Sequence, residues 1–364
     1  MDNCVIPHGY KATALGIIPQ EWEVMLLGNL SNSISSGRNK HRDAHGQYPV
    51  FGSTGIIGYS STYEYEGPVI LVARVGANAG TLNFASGQYD VSDNTLIITI
   101  KQNVYDYNFA YNQLTHYKLN KLVFGSGQPL ITSKQLKNIR IPVPPLAEQR
   151  KIAEVLGVWD KAIEKQARLI EKLALRKRAL MQRLLSAKLR LPGFSEPWKK
   201  VKLGDVAELY QPQTIQSEDL SQTGYPVYGA NGLIGYYNNY NHEYPQVVIT
   251  CRGSSCGTVN FTPGKCWITG NAMVLNVDNN RDVNKSFFYY LISNSSFVNL
   301  ISGSGQPQIV RQPLLKFELR IPPLKEQTAI AEVLTAADRE IDLAKEKLER
   351  LRRQKRGLMQ QLLT

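Results

Sequence analysis

Residues 145–156 read Pro-Leu-Ala-Glu-Gln-Arg-Lys-Ile-Ala-Glu-Val-Leu, and residues 323–334 read Pro-Leu-Lys-Glu-Gln-Thr-Ala-Ile-Ala-Glu-Val-Leu. The segment from Tyr48 to Tyr59 likewise recurs, with a few changes, from Tyr225 to Tyr236. One unit of roughly 180 residues therefore occurs twice, which is far longer than the 20–50 residues of a solenoid repeat. The sequence indicates duplication of a whole domain.

Both copies of the Pro-Leu-x-Glu-Gln motif open a stretch of forty residues that holds no proline and a single glycine. Alternate steps of four and three residues place apolar side chains at eight of ten positions in the first stretch and nine of ten in the second. This spacing is typical of a coiled-coil seam. The seam positions are Ile152, Leu156, Trp159, Ile163, Gln166, Ile170, Leu173, Lys177, Leu180 and Leu184, and then Ile330, Leu334, Ala337, Ile341, Ala344, Leu348, Leu351, Lys355, Leu358 and Leu362.

The rest of each unit is rich in glycine, asparagine and tyrosine, and its short β-branched runs predict buried strands at Val69–Ala73, Thr95–Ile100 and Gln246–Thr250. We expect an α+β fold with two similar domains, separated by a long antiparallel two-helix coiled coil with pseudo-two-fold symmetry. The alternative is that each helix packs on its own domain as part of the core. The predicted boundaries are residues 1–146 and 187–324 for the domains and residues 147–186 and 325–364 for the helices.

Composition narrows the class of protein. The 364 residues include 42 lysines and arginines against 30 acidic residues, a net charge of +12, which indicates a polyanionic partner such as nucleic acid. No apolar run approaches the roughly 18 residues of a membrane span, and the first residues lack the pattern of a secretory signal. Four cysteines in a chain of this length are not a disulfide framework, so we expect a cytoplasmic protein.

The two copies of Pro-Pro-Leu-x-Glu-Gln-x-x-Ile-Ala-Glu-Val-Leu, each opening a helix that ends near Leu-Met-Gln-x-Leu-Leu, resemble the conserved regions of type I restriction–modification specificity subunits. The tract Leu189–Phe194 before Trp198, and the segment Ile18–Trp22, are similar to that family's domain openings. The resemblance covers almost the whole chain. It implies two target recognition domains, compact because the chain is short for the family, each reading one half of a split DNA sequence. The paired helices would act as spacer and docking surface.

The same resemblance implies a set of partners. These are double-stranded DNA, adenine methyltransferase subunits that use S-adenosylmethionine, and a restriction subunit, a translocase that uses ATP and magnesium. The chain itself is then expected to be a non-catalytic specificity subunit without cofactor or metal. Two alternatives stay open: the specificity subunit of a fused cleavage–methylation system of type IIB kind, and a coiled-coil scaffold whose globular ends bind proteins.

The sequence lacks the motifs of an active site. Neither Asn-Pro-Pro-Tyr nor Asp-Pro-Pro-Tyr, expected of an adenine methyltransferase, occurs, and no phosphate-binding Gly-x-x-x-x-Gly-Lys-Ser/Thr occurs. A zinc site could be assembled from Cys251, Cys256 and Cys266 with His242, but the spacing matches no usual zinc pattern. Free buried thiols are the preferred interpretation.

Candidate DNA contacts lie mainly on loops. The repeated pentapeptides Gly125–Pro129 and Gly303–Pro307 have glycines that permit close backbone approach and a glutamine that can bond adenine. The alternative is a tight turn that is needed only for folding. Arg74 and Arg252 each precede a glycine-containing turn, displaced from one another by one residue. An arginine there suits a phosphate or guanine contact, and an internal carboxylate partner is the alternative.

Residues that differ between the halves beside the shared loops are better specificity candidates, because two domains that read different sequences should differ at base contacts. Leu130 aligns with Gln308, and Lys134 lies near Gln312. The basic loop Arg38–Arg42 has no counterpart in the second half, and a solvated loop is its alternative. The DNA-binding candidates are Arg38, Lys40, Arg42, Arg74, Asn78, Ser126, Gln128 and Lys134 in the first half and Arg252, Ser254, Ser255, Ser304, Gln306, Gln308 and Arg311 in the second.

The coiled coil yields a prediction about the spacing of the DNA site. Inserting one heptad after Leu173 and one after Leu351 adds about 10 Å to each helix, at about 1.5 Å per residue, and preserves the seam. The gap between the two methylated half-sites should then lengthen by roughly three base pairs, as read by methylome sequencing of a host that carries the complex. A folded, active double insertion that still methylates the original gap would show that the helices do not set the spacing.

Overall fold

The computed structural model describes residues 6–40, 43, 45–125, 129–229, 232–303 and 305–364. The chain divides into two compact units, one made of residues 1–167 and 346–364 and the other of residues 168–345. Each unit holds one β-rich domain and part of both long helices. Among the described residues, no helix combines the length and apolar character that a membrane crossing requires.

The first unit opens with small strands and then builds its domain around a central sheet. Its strands are β1 (Tyr10–Thr13), β2 (Gly16–Pro19), β3 (Glu23–Leu26), β4 (Ser31–Ser36), β5 (Tyr48–Gly52), β6 (Gly55–Ser60), β7 (Tyr65–Glu66), β8 (Val69–Ala73), β9 (Leu82–Ala85), β10 (Gln88–Val91), β11 (Thr95–Ile100) and β12 (Arg140–Val143). Its short helices are α1 (Leu27–Leu30), α2 (Tyr107–Tyr117) and α3 (Ser133–Lys137), and the long helix α4 (Leu146–Leu184) begins here.

The central sheet of the first unit has the order β4-β11-β8-β9, with antiparallel neighbours. Every residue of β8 is buried, because both faces of the sheet are covered. Ile70 and Val72 belong to the main core with Phe109 of α2, whereas Leu71 belongs to a second core with Tyr89 of β10. Successive strand residues face opposite sides, so a strand buried on both sides is apolar throughout. The predicted strands Val69–Ala73 and Thr95–Ile100 are confirmed.

The second unit repeats this construction. Its strands are β13 (Lys199–Lys202), β14 (Glu208–Tyr210), β15 (Tyr225–Gly229), β16 (Gly232–Tyr237), β17 (Val247–Thr250), β18 (Val259–Phe261), β19 (Trp267–Ile268), β20 (Ala272–Asn276) and β21 (Glu318–Ile321). Its helices are α5 (Leu203–Val206), α6 (Lys285–Ser293), α7 (Arg311–Leu315) and the start of α8 (Leu324–Leu362). The central sheet has the order β14-β20-β17-β18, and β17 is the third predicted strand.

The two long helices are 39 residues each, and they pair antiparallel within each unit. In the first unit Ile152 and Leu156 share a core with Met359 and Leu363 from the end of α8. In the second unit Leu173 packs with Ile341 and Ala344. Every predicted seam position is buried or half-buried, so the seam prediction is confirmed. The first turns of each helix also belong to a domain core, as the alternative proposed.

Charged residues on the seam have reciprocal partners. In the first unit Lys355 Nζ lies 2.6 Å from Asp160 Oδ1, and in the second unit Lys177 pairs with Asp338. Asp338 stands 178 residues after Asp160, as Lys355 stands 178 after Lys177, so each repeat supplies the lysine for the other repeat's aspartate. A polar seam position that finds its partner in one register favours that register over others.

A buried glutamine fastens each long helix to its domain. Gln149 Oε1 accepts a hydrogen bond from the Asp106 N–H (2.8 Å), and its Nε2 donates to the carbonyls of Val104 (2.9 Å) and Pro144 (2.8 Å). Asp106 is the N-cap residue of α2. The glutamine therefore joins the start of α4 to the start of α2. From the sequence, Gln149 was identified only as part of the Pro-Leu-x-Glu-Gln motif that opens the helix.

Gln327 makes the same three bonds in the second unit. Its Oε1 accepts from the Asn284 N–H (2.9 Å), and its Nε2 donates to the carbonyls of Asp282 and Pro322, both at 2.9 Å. Asn284 is the N-cap of α6. Gln149 and Gln327 are 0% and 1% exposed, so an apolar replacement leaves buried polar groups without partners.

The glutamate before each glutamine has a different partner in each unit. Glu148 Oε2 accepts from Trp22 Nε1 at 3.2 Å. Glu326 accepts two bonds from Arg190, with Nε at 2.6 Å and Nη2 at 2.8 Å. Trp198, the counterpart of Trp22, then has an indole N–H that is buried without a partner among the described residues. The arginine has replaced the tryptophan as donor.

Removing the buried amide should weaken the joint between helix and domain. Gln327→Leu leaves the Asn284 N–H without its acceptor, and an orphaned buried polar group costs about 1–3 kcal/mol. We expect the free energy of unfolding in urea to fall by that amount. Gln354→Leu, at an exposed position of the same helix, is the matched control. Equal stability of the two variants would contradict the role given to Gln327.

The ion pair of the first unit should select the helix register. Asp160→Lys and Lys355→Asp each place like charges together, and the double variant restores an attraction. Because Asp160 is 52% exposed, each single change should lower stability by only about 0.5–1 kcal/mol, and the double variant should recover most of it. Additive losses in thermal unfolding would show that the two side chains are not coupled.

Candidate nucleic-acid interface

Three strand ends of the first unit meet at one edge of the central sheet. The Arg74 N–H, just after β8, donates to the Asn94 carbonyl (2.9 Å), just before β11. The Gly37 N–H, just after β4, donates to the Thr95 carbonyl (2.9 Å). The loop that carries Arg38 therefore leaves the sheet at the same edge as Arg74.

The repeated pentapeptide adjoins this edge. The Gly76 N–H donates to the Pro129 carbonyl (3.0 Å), and the Ile131 N–H donates to the Arg74 carbonyl (2.9 Å). Phe124 and Leu130, on either side of the pentapeptide, exchange N–H to carbonyl bonds at 3.2 and 3.0 Å. The loop after β8 and the pentapeptide thus form one rim. Ser126 and Gln128 lie outside the described residues.

The second unit has the same rim. The Gly253 N–H donates to the Pro307 carbonyl (3.0 Å), and the Ile309 N–H donates to the Cys251 carbonyl (2.9 Å). Ser302 and Gln308 exchange two bonds of 2.8 Å around the second pentapeptide. These bonds match those of the first unit one for one, so the two rims share a backbone frame.

The pentapeptide needs its first glycine for folding. Gly303 has φ +95°, and a Cβ there would lie 2.5 Å from the Gln306 carbonyl oxygen. That contact and that φ exclude other residues, which supports the tight-turn alternative for this glycine. Gln306 is exposed and remains a candidate contact, whereas Ser304 lies outside the described residues.

Arg74 is held at the sheet edge with an unused donor. Its Nη1 donates to Ser36 Oγ at 3.3 Å, and its Nε is buried without a partner among the described residues. The carboxylate partner considered from the sequence is therefore not found among them. In the second unit Cys251 occupies the position that Arg74 has in the first. Its N–H donates to the Asn271 carbonyl (3.1 Å), as the Arg74 N–H donates to the Asn94 carbonyl. Arg252 follows one residue later and is exposed, as the predicted displacement requires.

The remaining described candidates are solvent-accessible. Arg38 is 82% exposed in its side chain and lies 3.7 Å from Glu64; Arg42 lies outside the described residues. Each rim is followed by a short helix, which holds Lys134 in α3 and Arg311 in α7. The exposed candidates are Lys40, Asn78, Lys134, Ser254, Gln308 and Arg311, and Ser255 is half-buried.

Cys251 and His242, two of the residues considered for a zinc site, lie among other protein groups. Burial raises the pKa of the Cys251 thiol to about 11 and lowers the pKa of His242. His242 Nε2 lies 2.9 Å from the Tyr210 hydroxyl. Within the described ranges, no group of three or more histidine, cysteine or acidic residues is placed to hold a metal ion.

Three residues at the base of the rims were not among the candidates predicted from the sequence. Val75 pairs with Leu130 in an isolated bridge, and Phe124 pairs with Leu130 on its other side. Ser302, next to Gln308, is the counterpart of Phe124. A signal was present, because the residues flanking the two copies of the pentapeptide differ although the pentapeptide does not.

Comparison with known proteins agrees with this architecture. The family model described as "Type I restriction modification DNA specificity domain" matches residues 19–174 and again residues 195–353. The type I restriction enzyme MjaVIII specificity subunit of Methanocaldococcus jannaschii is 24% identical, over 95% of this chain and 93% of its own length.

Two solved structures share the fold. The S subunit of the type I restriction–modification system of Mycoplasma genitalium superposes with a TM-score of 0.67 at 20% identity, over 94% of this chain and 96% of that one. A chain from work on complex assembly and conformational transition of the type I restriction–modification system gives 0.58 at 19% identity, over 95% and 98%. With the family model matched twice, the chain belongs to the type I restriction–modification DNA specificity family.

Proposed function

We propose that this chain recognises a bipartite sequence in double-stranded DNA, one half through the rim of each unit. The observation that carries the proposal is the shared backbone frame of the two rims, on which different side chains are exposed. A frame common to both domains fixes how each approaches DNA, and side chains that differ allow each to prefer a different sequence. The net charge of +12 favours association with phosphates.

The chain would act with partner subunits that perform the chemistry. We assign methylation to adenine methyltransferase subunits that use S-adenosylmethionine, and cleavage to a restriction subunit that uses ATP and magnesium. This chain would contribute binding only, because its sequence lacks the adenine methyltransferase tetrapeptide and the phosphate-binding loop. Its four cysteines, too few for a disulfide framework, favour the cytoplasm as the place where it acts.

Exposed apolar side chains on the long helices support docking of the methyltransferase subunits there. Val158 is 63% and Val155 44% exposed on the part of α4 in the first unit. In the second unit Leu175 of α4 is 60% and Leu343 of α8 56% exposed. These four residues lie off the seam, and apolar groups left exposed on an otherwise charged helix favour a protein partner.

Domain exchange tests the proposal. Replacing residues 197–322 with the same segment of a relative should change one half of the methylated sequence and leave the other half intact, because the first unit keeps its own rim. Methylome sequencing of a host that carries the chimaera with the methyltransferase subunits gives the result. A change in both halves would show that the two domains do not read independently.

The scaffold alternative predicts a different behaviour of the unmodified complex. A DNA-reading complex should bind a duplex with both half-sites more tightly than one with a single half-site, and its affinity should fall steeply with salt. A scaffold whose globular ends bind proteins should show neither property in the same titration.

A further inference from the structure

The residues at the base of each pentapeptide form a row of three neighbours. In the first unit Leu130 is bridged to Phe124 on one side and to Val75 on the other. In the second unit Gln308 is bridged to Ser302 and to Arg252 in the same way. All four bridges are antiparallel, and residues directly opposite in such a pair present their side chains on one face. Each row is thus one small surface.

The two rows have opposite chemistry on the same backbone. The row of the first unit is apolar, with Phe124 51% exposed. The row of the second unit is polar, and its serine, glutamine and arginine are all exposed. An exposed phenylalanine contributes little to the stability of the fold. The exposed arginine of the matching rim, Arg252, likewise has no need of a partner inside the protein. A role in holding the rim together would not explain either choice.

The positions that hold the rim together are the same in both units. Pro129 and Pro307 accept the bonds that join the two loops, and Ile131 and Ile309 donate the next ones. Both isoleucines are buried. The chain has therefore kept the residues that build the frame and varied those that the frame displays.

We propose that the two rows determine the base sequence that each domain selects; this inference rests on the proposed function. The row Ser302, Gln308 and Arg252 selects purines through hydrogen bonds in the major groove, where arginine pairs with guanine O6 and N7 and glutamine with adenine N6 and N7. The row Phe124, Leu130 and Val75 selects thymine through apolar contact with its methyl group. Arg74, tied to Ser36 at the sheet edge, is not a member of the row.

The test uses the full chain in complex with its methyltransferase subunits and a panel of duplexes. The panel holds the methylated bipartite sequence of the unmodified complex and every single base-pair change in both half-sites. The double variant Arg252→Val and Gln308→Leu gives the second unit the apolar pair of the first. Arg281→Val removes an exposed arginine on the loop beyond the other end of β20, and is the matched control.

The double variant should lose discrimination at one or two neighbouring base pairs of one half-site, by roughly 5- to 150-fold. Discrimination across the other half-site should stay as it was, which also shows that the variant is folded and bound. The control should keep every preference of the unmodified complex.

Two results would overturn the proposal. One is an unchanged preference in the double variant. The other is a uniform loss of affinity for all duplexes of that half-site with a shallower salt dependence, which marks phosphate contact. If the double variant does not fold, Arg252→Ala and Gln308→Ala are measured singly against the same panel, with the same two criteria. An unmodified complex without any half-site preference would instead refute the proposed function.

Discussion

The buried glutamine at the start of each long helix is the interaction on which the rest of the structure depends. Gln149 and Gln327 each use their full set of donors, and each joins a helix start to the loop before the domain's own helix. The direction in which a helix leaves its domain is set by that joint. A helix free to pivot there could not present its seam to a partner in a fixed register.

Two ion pairs between the long helices determine the register in which these helices pair. A seam of leucine, isoleucine and alanine alone is compatible with several alignments. Lys177 with Asp338, and Lys355 with Asp160, meet their partners in one antiparallel alignment. Because the two bridges come from the same two positions of a duplicated sequence, a single ancestral lysine and aspartate are sufficient to make both.

The sequence allowed the periodic features to be predicted and left the local ones open. The coiled-coil seam follows from the spacing of apolar residues, because burial of one stripe of a helix imposes that spacing. The three strands follow from continuous runs of β-branched and other apolar residues, because a strand buried on both faces of its sheet is apolar throughout. The partner of Glu326 could not be predicted in this way, because Arg190 is distant in sequence and has no equivalent in the first half. The equivalence of Cys251 in the second unit to Arg74 in the first could be recognised only from the backbone hydrogen bonds, because the two halves differ there in residue type.

The candidate site also has some features that were predicted from the sequence and others that were not. Loops that carry Arg74, Arg252 and the pentapeptides were predicted from their glycines and their repetition, and whether those residues contact DNA remains a prediction. The bridges that align Val75 with Leu130, and Arg252 with Gln308, are long-range pairings that no local pattern encodes. The two rows can therefore be identified only from the three-dimensional structure, which brings the two loops of each unit together.

The glutamine joints have a consequence for how such a protein can diversify. Every hydrogen-bond partner described for the Gln149 and Gln327 side chains is a main-chain N–H or carbonyl. A graft or recombination event that brings in an unrelated recognition domain therefore preserves the joint, provided that the loop keeps its path, whatever side chains arrive with it. At this joint the long helices therefore set no requirement on the side chains of the inserted domain, whereas Glu148, Glu326 and the first helical turns still contact domain side chains.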